Sequence, residues 1–111
     1  MPELPALSLE EATRIAPLVG IGGKSGDTVI GLTALRRCGP LAYIFTAPRL
    51  SAGTLRELSA RRREGTVFYQ VEDWESLAGV LGRSDTSVLG IKAGSLAEGI
   101  GRLLQSSGAG E

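Results

Sequence analysis

Leu41-Ala42-Tyr43-Ile44-Phe45 is the stretch on which the fold turns. Five apolar residues follow one another without a polar break, and Gly39-Pro40 stands directly before them. A short continuous run bounded by turn residues suits a strand covered on both faces, so this segment predicts a central strand beneath helices on either side.

Downstream the elements alternate. Ser51 caps a helix carrying Leu55 and Leu58, which closes on Arg61-Arg62-Arg63 and Gly65. Thr66-Val67-Phe68-Tyr69-Gln70-Val71 reads as a second strand. Asp73 opens a short helix with Trp74, Leu77, Val80 and Leu81, stopped by Gly82, and Ser87-Val88-Leu89-Gly90-Ile91 forms a further strand. Ser95-Leu96-Ala97-Glu98 has a capping-box pattern and starts a last helix with Ile100, Leu103 and Leu104. The tail from Ser106 to Glu111 is expected to be disordered.

Upstream, Ser8-Leu9-Glu10-Glu11 is another capping box ahead of Ala12, Ile15 and Leu18 at helical spacing, which predicts a first helix to about Val19. Gly20-Ile21-Gly22-Gly23-Lys24-Ser25-Gly26 then holds four glycines. Each costs about 1 kcal/mol in a helix relative to alanine, so a loop is expected there. Asp27 or Ser25 would cap a second helix through Val29, Ile30, Leu32, Ala34 and Leu35, ending at Arg36-Arg37. Strands alternating with helices imply one α/β domain over residues 1–105, a three-layer α/β/α sandwich on a small mixed or mostly parallel sheet.

One cysteine, Cys38, and no histidine leave neither a disulfide framework nor a usual zinc ligand set. No cofactor and no metal are expected. Cys38 has no histidine to activate it, so no enzyme activity is expected either. The amino terminus lacks a basic region followed by an apolar run, and no stretch approaches the roughly 18 apolar residues of a membrane span. A cytoplasmic protein without membrane contact is the expectation.

Net charge is zero, yet between Lys24 and Arg63 eight basic residues stand against Asp27 and Glu57, a local net of +6. An anionic partner would meet this part of the chain. Gly23-Lys24-Ser25 also matches the end of a phosphate-binding loop, but Leu18 stands where that motif needs glycine and the segment before it reads as helix rather than strand. Tyr43, Phe45, Phe68 and Tyr69 lie in covered strands and read as core. Trp74 reads as exposed, the one aromatic available to a partner.

From Leu9 to Leu104 the order of elements, with Ser25-Gly26-Asp27, the helix end Ala34-Leu35-Arg36-Arg37, the Leu41 to Ala47 strand and the passages Leu77 to Arg83 and Val88 to Ala97, resembles the kink-turn-binding ribosomal protein family. That family includes small bacterial relatives and release-factor-like carboxy-terminal domains. The resemblance implies a non-catalytic RNA-binding module for kink-turn or other irregular structured RNA, ribosome-associated, with no small-molecule substrate. It implies that Gly26 matches the recognition glycine, that Asp27 and Thr28 occupy the polar positions with Lys24 just before them, and that Glu72-Asp73 occupies a second RNA-facing loop. The expected RNA-binding residues are therefore Gly23, Lys24, Ser25, Gly26, Asp27 and Thr28, with amides at a helix start facing phosphate. A protein-interaction domain of the same fold, without RNA binding, is the second reading.

Overall fold

The computed structural model describes residues 6–48, 50–61, 65–82 and 86–109, with side chains through Leu104. Five strands form one sheet: β1 (Ala6–Leu7), β2 (Thr28–Ile30), β3 (Leu41–Thr46), β4 (Val67–Val71) and β5 (Val88–Lys92). Their spatial order is β1-β4-β3-β5-β2. β3 is the middle strand, as its unbroken apolar run requires. It pairs parallel with β4 and antiparallel with β5, so the sheet is mixed.

Helices α1 (Leu9–Ser25), α4 (Glu75–Ala78) and α5 (Ser95–Ala109) cover one face, and α2 (Leu32–Arg37) and α3 (Ala52–Ser59) cover the other. Two apolar clusters follow from this. Ile15, Val19, Phe45, Leu89, Ile91 and Ile100 fill the first, and Leu35, Leu41, Ile44, Leu58, Phe68 and Val88 fill the second. Phe45 lies against Tyr43 and Tyr69 in a stacked row with ring centroids 5.9 Å from each. The three-layer α/β/α sandwich is thus the architecture.

Three boundaries differ from the sequence reading. The glycine-rich segment is not a loop: α1 continues through it to Ser25, and Gly26 ends the helix in the left-handed conformation at φ 90°. Burial overrides propensity here, because Gly22 is packed between Thr28 and Leu96 and Gly23 lies against Leu81. Second, the expected helix over Val29 to Leu35 is split. Thr28–Ile30 is an edge strand paired to β5, Gly31 turns the chain at φ 89°, and only Leu32–Arg37 is helical. Third, α5 extends to Ala109, so residues 106–109 are helical rather than a disordered tail; residues 110–111 lie outside those described.

The caps follow the sequence unevenly. Ser8 and Glu11 form the predicted box, and Ser51 accepts from the Thr54 amide. Ser95 is instead the first residue of α5, with Glu98 N donating to Gly94 O. Asp73 gives α4 no side-chain cap; Trp74 stands at that position. Among the described residues no helix is long and apolar enough to cross a membrane.

Candidate nucleic-acid interface

The strands' directions bring four helix starts to one end of the sheet. β1, β2, β3 and β4 lead into α1, α2, α3 and α4 respectively, and β5 begins at that same end, with Val88 opposite Thr46. Open α/β sheets place ligands outside the carboxyl ends of their strands, where helix amides are unspent. On the α2/α3 face this end holds a cleft of about 440 Å³. Its walls are Ile30, Gly31 and Leu32 on one side, Leu50 and Thr54 on another, and Thr86, Ser87 and Val88 on the third.

Local chemistry explains the cleft's shape. Gly31 has φ 89°, which lets β2 turn directly into α2 without a side chain over the opening. No side chain caps α2 and no acid stands in its first turn, so the amides of Leu32, Thr33 and Ala34 have no intrahelical partner. Thr54 brings a hydroxyl that accepts from Ser51 Oγ at 2.9 Å.

The third wall is pinned at three successive carbonyls. Trp74 Nε1 donates to Thr86 O at 2.7 Å, Ala47 N to Ser87 O at 2.9 Å and Gly31 N to Val88 O at 3.1 Å. Thr86 Oγ1 adds a bond to Val88 O at 3.2 Å. Trp74 is therefore half-buried and bonded across the end of the sheet, not the free exposed aromatic that its place in the sequence suggested. No carboxylate lines this cleft among the described residues.

The residues expected from sequence to meet RNA lie at the opposite end. Gly23, Lys24 and Ser25 form the last turn of α1, whose amides are engaged within the helix and whose carbonyls carry the negative end of its dipole. Gly26 N donates to Gly22 O at 2.9 Å. Ser25 Oγ donates to the Asp27 carboxylate at 2.8 Å, and Thr28 is buried with its hydroxyl donating to Val19 O at 3.0 Å. Lys24 is exposed beside this carbonyl-rich turn. The amide-lined turn at a helix start, and with it the phosphate-loop geometry, is not formed, because glycine packing keeps the helix intact through Ser25.

The basic residues are also differently occupied. Arg36 is paired with Glu57 through bonds of 2.7 and 3.0 Å. Arg61 crosses to the end of α2 and donates to Leu35 O at 2.6 Å, Gly39 O at 3.3 Å and Cys38 O at 3.4 Å. It complements a helix terminus, though not that of its own helix. Arg62 and Arg63 lie outside the described residues.

Glu72 and Asp73 begin the turn into α4, on the α1 side of the sheet, and take no part in the cleft. Sequence reading missed Gly31, Thr86 and Ser87. The signal for Gly31 was present, since two β-branched residues, Val29 and Ile30, precede a glycine as they would at a strand end. Thr46 stands one residue before the Ala47 amide that binds Ser87, and its buried hydroxyl has no partner among the described residues.

No protein-family model and no curated protein matches the sequence. Among solved structures the chain is similar to a 15.5kD RNA binding protein of Giardia lamblia, with a TM-score of 0.71 at 18% identity over 95% of this chain and 93% of that one. It is also similar to a protein of unknown function from Bacillus halodurans, with a TM-score of 0.63 at 14% identity over 84% of this chain and 98% of that one. At these identities the likeness establishes the fold.

Proposed function

We propose that this domain is a non-catalytic module that binds structured RNA, and that the cleft between α2, α3 and the start of β5 receives the phosphodiester backbone. The observation that carries the reading is the cleft itself: the Gly31–Leu32 start of α2 and the hydroxyls of Thr54, Thr86 and Ser87 border one opening that no carboxylate lines among the described residues. Phosphate oxygens are met in this way by amides and hydroxyls as well as by basic side chains. Likeness to an RNA-binding protein over nearly the whole of both chains supports the choice of ligand. A kink-turn or other irregular RNA is the preferred form, in a cytoplasmic ribonucleoprotein of the ribosomal kind.

A second reading, a protein-binding domain of the same fold, rests on Glu10, Glu72 and Glu75. These exposed carboxylates stand at the starts of α1 and α4, which RNA would avoid and a basic protein surface would not.

The test is a gel-shift titration with a kink-turn RNA and a continuous duplex of equal length at two salt concentrations. The kink-turn RNA should shift at micromolar protein, more weakly at high salt. Thr54→Glu keeps the helix start intact, since an acid three residues after Ser51 completes a capping box, but sets a carboxylate on the cleft wall. It should abolish the shift, while Lys24→Ala at the far end should leave it. No shift by the wild-type protein, or loss with Lys24→Ala alone, would overturn the reading.

A further inference from the structure

We infer that Trp74 is a positioning residue for the cleft: its indole N–H holds the Thr86 to Val88 wall where a ligand backbone would meet it. This inference rests on the proposed RNA reading and adds a residue that touches no ligand.

Three bonds fix that wall, and two of them are main chain to main chain. The bonds from Ala47 N and Gly31 N form with almost any side chains at those positions. The bond from Trp74 Nε1 to Thr86 O, at 2.7 Å, is the one of the three that depends on residue type. It is also the one that crosses from α4, on the α1/α5 face of the sheet, to the cleft on the α2/α3 face.

Trp74 is anchored for this task. Its ring packs against the cluster that includes Leu77, so the donor is carried on a part of the molecule that burial holds still. Thr86 is half-buried, and its carbonyl would lose a partner it cannot fully recover from water if the indole N–H were removed. The neighbouring bond from Thr86 Oγ1 to Val88 O, at 3.2 Å, then loses its fixed base. Groups that must meet phosphate oxygens work when their geometry is set before the ligand arrives, so release of this wall should weaken binding without removing any contact residue.

Trp74→Phe keeps an aromatic ring in the cluster and deletes the donor. With a kink-turn RNA as probe, the variant should bind about tenfold more weakly than wild type, chiefly through faster dissociation. The amide hydrogens of Ala47 and Gly31, which donate to this wall, should exchange faster in the free protein. In a double-mutant cycle with Ser87→Ala the two losses should be non-additive, because Ser87 contributes only when the wall is held; a merely structural role would leave the two losses additive. If wild type binds RNA and Trp74→Phe binds equally well, or the losses add, the inference falls and the RNA reading stands. If wild type does not bind, the RNA reading falls and takes the inference with it.

Discussion

Gly22 lies directly against Thr28: a methyl group on its Cα would collide with Thr28 Oγ1 and come within 2.6 Å of Leu96 Cδ2. Thr28 Oγ1 cannot step aside, because it is buried and donates to Val19 O, three residues back along α1 from Gly22, at 3.0 Å. The glycine therefore serves close approach of helix to strand. Gly22→Ala should lower stability by about 1–2 kcal/mol in urea unfolding, overpacking outweighing the roughly 1 kcal/mol that alanine adds to helix propensity. A more stable variant would show that the segment is not packed this way.

Thr46 offers the opposite case. Its side chain is fully buried on the middle strand, and the hydroxyl has no partner among the described residues. Replacing an unsatisfied buried hydroxyl by a methyl removes a desolvation cost, so Thr46→Val should raise stability by about 1 kcal/mol. A loss on the same unfolding curve would mean that the hydroxyl is bonded.

Arg61 holds three carbonyls at the end of α2 through one planar guanidinium. Arg61→Ala should cost about 1 kcal/mol. Arg61→Lys should restore only part of it, since a single ammonium does not reproduce the fork. Equal stability of all three proteins in thermal unfolding would remove Arg61 from the account of α2.

The pair Arg36 and Glu57 has a pH signature. Hydrogen bonds from Arg36 hold the Glu57 pKa below its ordinary value of 4.5. A carboxyl depressed in the folded state contributes stability above the unfolded pKa and loses it as pH falls through the folded one, so the effect belongs below pH 4.5. Both side chains are exposed and salt screens them, so its size is small. In Arg36→Ala the Glu57 carboxyl carbon, followed by NMR, should titrate at a higher pH than in wild type. An unchanged midpoint would mean that the pair does not persist in solution.

Much of the fold is legible in the sequence because local and global preferences agree there. Leu41 to Phe45 is apolar throughout and lies at the sheet's centre, Ser8 and Ser51 cap helices where their side chains predict, and Gly82 ends a helical turn in the left-handed region. The misreadings occur where tertiary packing opposes propensity. Glycines 20, 22 and 23 look like a loop in isolation, and only the approach of Thr28, Val80 and Leu81 shows why a helix uses them. That reading placed an amide-lined turn at residues 23–26, where the fold has the closing turn of α1. Val29 and Ile30 are equally ambiguous, since their apolar character fits a helix until pairing with Gly90 and Leu89 supplies the alternative. Thr86 and Ser87 carry no motif; their place on the cleft comes from bonds to Trp74 and Ala47, far from them along the chain.

The most direct measurement is the amide NMR spectrum of the protein titrated with a kink-turn RNA. Shifts concentrated at Gly31, Leu32, Thr54, Thr86 and Ser87, with the last turn of α1 unaffected, are the predicted result. Shifts centred on Gly23, Lys24 and Gly26 instead, or none at millimolar RNA, would contradict it.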